Sequence, residues 1–217
     1  MGADLSRTAR TRVRRLPEKA LHSRTDLDAV LDAGLVAHVA IVDGGQPYAM
    51  PVAYARDGDR VLIHGSTGSR LFRLLATGAP ACLTVTLLDA LVVARSAFES
   101  SMQYRSAMVL GQCGVVPDDE KVAALDRLID HLMPGRRRDL RPHTRRELAA
   151  TRVLALPLDE WSVKVSAAAP EDDPDDLDLP VWAGVVPLET SYGIPQAAPD
   201  LRHELPVPGY LRTWNRR

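Results

Sequence analysis

Cysteine is scarce in this 217-residue chain: only Cys82 and Cys113 occur, each inside an apolar run. Two thiols cannot build a disulfide scaffold or a four-ligand structural zinc site, so reduced thiols of a cytoplasmic protein are expected. Long hydrophobic runs are also missing. No stretch approaches the roughly 20 apolar residues that span a bilayer, and the N-terminus lacks the apolar centre of a secretion signal, which predicts a cytoplasmic chain without a membrane partner. Lysine is confined to Lys19, Lys121 and Lys164 among 27 basic residues. That skew towards arginine reads as coding bias rather than as a binding surface.

What remains is ordinary globular material, 46% hydrophobic and 25% charged with a net charge of −1, enough for one large domain or two small ones. The balance hides local blocks. Residues 1–24 carry seven basic residues, Arg7 among them, against Asp4 and Glu18; the stretch 171–178 carries six acidic residues and no basic one. Such blocks read as solvated segments, with nucleic-acid or membrane contact the minority use. The chain thus divides into a basic arm (1–24), a folded domain (25–166) with a helical excursion (118–150), and an acidic, proline-rich extension (167–217) expected to wrap the barrel or a partner subunit.

Periodicity predicts a short helix from Thr25 to Gly34, capped by Thr25 or Asp26 and stopped by a left-handed Gly34. Strands follow at Leu35–Asp43, Pro47–Arg56 and Arg60–His64, joined by Asp43-Gly-Gly45 and Asp57-Gly58-Asp59 turns. Leu71, Leu74 and Leu75 mark a helix that ends at Gly78-Ala-Pro80. Extended character returns at Ala81–Leu88 and Leu91–Phe98, joined at Leu88-Asp-Ala90, and at Tyr104–Val116. Glu120–Leu132 is an amphipathic helix, and Arg152–Leu158 and Trp161–Val165 close the pattern. These elements predict a mainly β protein, a six- to seven-stranded antiparallel barrel with flanking helices.

Two polar islands could carry chemistry. In His64-Gly-Ser-Thr-Gly-Ser-Arg70 a strand gives way to a helix among small hydroxyl residues. Unpaired amides there, with Ser66, Thr67, Ser69 and Arg70, suit a phosphate, although neither a P-loop nor a dinucleotide fingerprint is present. The second island, Phe98 to Ser106, offers Ser100, Ser101, Arg105 and Ser106 to an anion. A capped helix start and a polar hairpin connection are the plain structural alternatives. His64 has the pKa range of a proton donor or substrate contact.

The ordered succession Val36–Val42, Gln46–Tyr54, Leu62–Arg70, Phe98–Gly111 and the Glu120–Leu132 helix resembles the pyridoxamine 5′-phosphate oxidase-like family, and more narrowly its flavin-nucleotide-binding, nitroimidazole-resistance-related branch. The similarity runs over about residues 20–187, including Glu160-Trp-Ser-Val-Lys164 and Trp182-Ala-Gly-Val-Val-Pro187. It implies a split β-barrel and a homodimer holding FMN at the subunit interface. By this resemblance the phosphate lies at Ser66, Ser69 and Arg70 with Arg105 and Ser106, and the isoalloxazine along Met50-Pro51-Val52-Ala53. Lys164 sits near the ring, where a cation stabilises reduced flavin, and Trp182 stands close to the cofactor. The implied activity moves electrons or hydride from a reduced nicotinamide to a small organic acceptor, nitroaromatic or quinone-like. The alternative is a carrier or sensor of flavin, deazaflavin or haem, with His64 or His38 as an axial ligand.

Several chemistries are not supported. The Trp-Gly-Gly ending of a true vitamin oxidase is missing, and no Ser-His-Asp or Cys-His constellation is visible. His131 and His143 lack the spacing of metal ligands. The Arg136–Arg146 cluster has no interleaved aromatics, which argues against nucleic acid; pairing with the acidic 171–178 segment is its other expected use.

Overall fold

The computed structural model describes residues 8–214; Asp4 and Arg7 of the basic arm, and residues 215–217, lie outside them. Ten strands form one antiparallel sheet, β1 (Ala20–Leu21), β2 (Val36–Asp43), β3 (Gln46–Asp57), β4 (Arg60–Ser66), β5 (Pro80–Val93), β6 (Ser101–Gln112), β7 (Gly114–Val115), β8 (Thr151–Pro157), β9 (Glu160–Ser166) and β10 (Gly184–Pro187). They run in the order β1-β9-β6-β5-β2-β3-β4-β8-β7, with β10 added to β5. The architecture is the expected split barrel, richer by three or four strands and open rather than a closed ring.

The meander follows from its turns. Gly44 and Gly45 adopt φ of 58° and 82°, the pair of positive angles that a two-residue hairpin matched to strand twist demands. Leu88-Asp-Ala90 is not a turn. The chain runs straight through as β5, with one register shift between Leu88 and Ala90. No glycine or proline interrupts that stretch, so a bulge absorbs the irregularity instead.

Helix α1 (Arg24–Ala33) is capped by Ser23, whose hydroxyl accepts from the Asp26 amide, not by Thr25 or Asp26. Gly34 ends it in extended rather than left-handed backbone, at φ −79°. Its role is steric: a Cβ there would lie 2.5 Å from Val85 Cγ1 and 2.6 Å from Tyr54 Oη. Tyr54 is fully buried, and its hydroxyl donates to the Leu31 carbonyl at 2.6 Å. Helix α2 (Arg70–Leu75) adds Leu71, Phe72 and Leu75 to the core, where they join Val39, Leu83, Val109 and Leu156.

Helix α3 (Lys121–Leu132) lays Ala124, Leu125 and Leu128 on Ala55, Leu62 and Val153, covering the outside of β3, β4 and β8. The outer faces of β2, β5, β6 and β10 gain no such cover. Val36, Val42, Leu91, Met102 and Val186 stay between 43% and 61% exposed. Among the described residues no helix is long and apolar enough to cross a membrane.

The extension is fastened at three points. Asp172, its side chain 2% exposed, takes the Arg95 amide at 2.6 Å and guanidinium at 2.7 Å. Strand β10 pairs with Val93–Ala90. Near the end, Tyr210 donates to Asp139 at 2.6 Å and Trp214 to the Pro134 carbonyl at 2.9 Å. Within the chain the acidic segment is therefore anchored by Arg95. The arginine cluster finds other partners: Arg137 pairs with Asp126 and Asp130, and Arg141 with Glu147.

Gly34→Ala is expected to destabilise the fold by about 1–3 kcal/mol, the usual cost of overpacking a filled core. Chemical denaturation of the two proteins measures the difference; equal midpoints would remove the steric role of Gly34.

Candidate functional site

The split in the barrel lies between β3 and β4. Strand β3 pairs with β2 along Gln46–Ala53, but with β4 only from Tyr54 to Asp57. Beyond Ile63, residues His64–Ser66 leave β3 and continue on β8 opposite Val153–Thr151. The divergence has a local cause. Phe72 of α2 packs on the bare Cα of Gly65, where a Cβ would meet its Cδ2 at 2.6 Å. From the fork onward, β3 shows a free edge, half of whose backbone groups point away from β2. Pro47 and Pro51, which cannot donate to a ladder, blunt that edge against another strand.

The predicted ring-binding segment lies on this edge. Met50 and Val52 turn inward against the core, whereas Ala49 and Pro51 face out. His64 stands at the fork itself. Its Nδ1 is buried and has no hydrogen-bond partner among the described residues, and burial pushes its pKa below the ordinary 6.5. A neutral imidazole there keeps one N–H and one lone pair to offer.

The predicted phosphate loop is internally satisfied. Thr67 N–H donates to the Ala150 carbonyl at 3.0 Å, Gly68 N–H to Ser66 Oγ at 3.2 Å, and Ser69 N–H to the Ser66 carbonyl at 3.0 Å. Arg70 pairs with Asp43 at 2.6 Å and lies 4.4 Å over the Tyr48 ring. Arg105 is held in the same way by Asp89 at 2.7 Å. Ser100 closes the β5–β6 hairpin by accepting from the Ala94 amide at 3.1 Å. Asp43, Tyr48 and Asp89 were not among the expected site residues, because Asp43 and Asp89 fall in stretches that read only as turns.

The remaining candidates form a second patch. Ser106 sits opposite Lys164, and its hydroxyl donates to the Lys164 carbonyl at 3.3 Å. Lys164 Nζ donates to the Arg15 carbonyl at 3.3 Å. Ser101 pairs with Val92 at the far end of β6. Trp182 is 65% exposed, its ring fixed against Gly184, where a Cβ would meet it at 2.8 Å. Trp161, by contrast, is buried in the core. Ladder registers place Pro51, His38, Thr84, Met108 and Ser162 in one row across five strands. At the usual strand spacing the path along the curved sheet from the fork to the Ser106–Lys164 patch is roughly 19 Å. One sheet face connects them. Arg70 and Arg105 lie towards opposite ends of that sheet and do not converge.

This geometry is that of a split β-barrel, and the family model for pyridoxamine 5′-phosphate oxidase matches residues 23–165. The chain belongs to that family. Among solved structures it is similar to the FAD and haem binding protein from Mycobacterium smegmatis, with 49% identity over 91% of this chain and 97% of that one and a TM-score of 0.88. The flavocytochrome Anf3 from Azotobacter vinelandii has 37% identity over 96% and 97%, with a TM-score of 0.90. A putative 5-nitroimidazole antibiotic resistance protein from Bacteroides thetaiotaomicron shares the fold at 20% identity over 78% and 90%, TM-score 0.58. No curated protein sequence matches the chain.

Because His64 is harder to protonate when folded than when unfolded, the folded state binds fewer protons below pH 6.5. Stability is therefore expected to be full above that pH and to fall as acid approaches the lowered folded pKa. His64→Gln should flatten that limb in denaturation midpoints compared between pH 7.5 and 5.5; an unchanged acid slope would dismiss the assignment.

Proposed function

We propose that this protein is a flavin-dependent electron-transfer protein that binds FAD together with haem and works as a homodimer closed over its cofactors. The fork carries this reading. A free strand edge beside a half-buried, neutral His64 with an unpartnered nitrogen supplies what a flavin's polar rim requires, hydrogen-bonding backbone on one side and a single adjustable donor or acceptor on the other. The relative with 49% identity over 91% of the chain is a FAD and haem binding protein, which supports FAD over the FMN of the sequence expectation. The layout supports it too, since a dinucleotide has the length to run from the fork across the sheet towards Ser106 and Lys164. A phosphate at Ser66–Arg70 would have to displace Asp43 and break three loop hydrogen bonds.

When bound, flavin takes up a hydride or two electrons and haem iron exchanges one at a time. The chain's own contribution is positional. Backbone groups of β3 orient the ring edge, His64 holds or accepts a hydrogen at the fork, and Lys164 places positive charge on the outer face. That face, which leaves Val36, Val42, Leu91, Met102 and Val186 exposed and carries no helix, is the surface a second copy of the chain would cover. A reduced nicotinamide is the proposed electron source and a small organic molecule the acceptor.

Purified untagged protein should release FAD and haem on denaturation, identified by mass, and His64→Ala should hold flavin about tenfold more weakly, the loss of one good hydrogen bond. FMN or a deazaflavin in place of FAD would overturn the dinucleotide assignment. A colourless protein that takes up neither added flavin nor haemin would overturn the whole reading.

A further inference from the structure

We propose that residues 8–15 form a strap, hinged at Leu16 and latched onto β9 by Glu160 and Lys164, and that an anion engaging Lys164 loosens it. The link to the anion rests on the flavin reading above; the hinge and the latch do not.

The hinge lies in the backbone. Leu16 has φ 55° and ψ 59°, and among the described residues it is the one non-glycine with a positive φ. In that conformation Cβ crowds the following carbonyl oxygen, so a bulky L-residue holds it only under strain. No burial compensates, since Leu16 is 42% exposed. The chain is fixed immediately afterwards. Pro17 locks its own φ, the Lys19 amide donates to the Leu16 carbonyl at 3.1 Å, and Ala20 and Leu21 enter the ladder opposite Lys164 and Val163. The strain therefore sits at the junction between a segment held in the sheet and one outside it.

On its other side residues 8–15 form no strand, and side chains of β9 tie them down. Glu160, 13% exposed at its side chain, accepts from the Thr8 hydroxyl and from the Arg10 guanidinium. Those donors hold its carboxyl below the usual carboxylate range. Lys164 Nζ donates to the Arg15 carbonyl at 3.3 Å. Between the two ties a space of about 480 Å³ remains beneath the arm, with Thr8, Thr11 and Val13 on one side and Leu21, Trp161 and Val163 on the other. The Thr8 amide donates to Thr11 Oγ1 at 3.0 Å, which closes a turn within the tip itself. A segment with polar ties at both ends and open space below belongs to the low end of local stability.

Lys164 serves two places. Its ammonium ties down the arm at Arg15, and it is also the cation on the outer face beside Ser106. An anionic group that draws Nζ over the sheet takes it from the Arg15 carbonyl. By linkage, whatever opens the strap strengthens the hold on that anion by the same factor.

Arg12, Arg14 and Arg15 are exposed, so trypsin reports on the strap. Brief digestion of the full chain, with the first product identified by mass, gives a rate that tracks the open population; hydrogen exchange in residues 8–15 and in β6 is followed in parallel. Glu160→Gln should speed the first cut about tenfold, through the loss of charged hydrogen bonds, with exchange in β6 unchanged. Leu16→Gly should slow it severalfold, because glycine takes a positive φ freely. Saturating FAD should speed the cut severalfold in wild type and leave the rate of Lys164→Met unaltered. A wild-type rate in Glu160→Gln, or exchange that rises equally in β6, would overturn the latch. A wild-type or faster rate in Leu16→Gly would overturn the hinge. Equal rates with and without bound FAD would overturn the link to Lys164, whereas protein that binds no FAD would overturn the flavin reading and the link together.

Discussion

The structure turns on the contact between Phe72 and Gly65. The Phe72 ring sits on the bare Cα of Gly65 where β4, paired with β8 along its whole length, parts from β3, and the ladder that begins at Asp57 and Arg60 stops after Tyr54 and Ile63. Everything that distinguishes this barrel from a filled β-core follows from the interruption. An edge in the middle of a sheet would ordinarily invite another strand; here it is blunted by two prolines and flanked by a histidine whose burial keeps it neutral. The fold thus leaves one buried imidazole nitrogen, His64 Nδ1, without a hydrogen-bond partner among the described residues at this point.

Charge is handled in the opposite way, by local satisfaction. Arg70 rests on Asp43 and Tyr48, Arg105 on Asp89, and, after α3, Arg137 on Asp126 and Asp130 and Arg141 on Glu147. Ion pairs at such exposure contribute little stability each, but they decide which cations are available. A chain with 27 basic residues thus presents no open basic stripe at these places, in keeping with the lack of stacking aromatics noted in the sequence. The Arg95–Asp172 contact differs because its carboxylate is buried. Removing one partner there would strand a charge, at a cost of about 3–5 kcal/mol, which makes it the firmest of the three anchors of the extension.

Elements with a clear period or turn signature were legible in the sequence. The β2–β3–β4 meander, α1 and α3 fall within a residue or two of expectation because glycine-rich turns and one-faced apolar spacing are local properties. Gly34 and β5 were not, for related reasons. A glycine after a helix has two uses, a left-handed stop or a close approach, and only the distant Val85 and Tyr54 decide between them. An aspartate between apolar runs has two uses as well, in a turn or in a bulge, and the choice belongs to the opposing strand. The site followed the same division. The residues along β3, His64 and Lys164 were named from the order of motifs, while the acids that hold Arg70 and Arg105 come from elsewhere in the chain and carry no signature of that role.

Strand β9 shows why the two ends of the chain matter to a site in its middle. Its central residues alternate between core and surface, Trp161 and Val163 inward and Ser162 and Lys164 outward, so one strand serves the barrel interior and the outer face together. The arm and β1 cover its free edge, roof the cavity beside Trp161 and engage Lys164, which couples the arm to the face opposite β6. The extension does the same at the far end of β5, adding β10 and presenting Trp182. Both additions lie outside or at the margin of the region matched by the family model, residues 23–165, yet the relatives at 49% and 37% identity align over 91% and 96% of the chain. The arm and extension therefore belong to a narrower group than the barrel does. The barrel alone provides the fork, and the arm and the extension widen the surface around it.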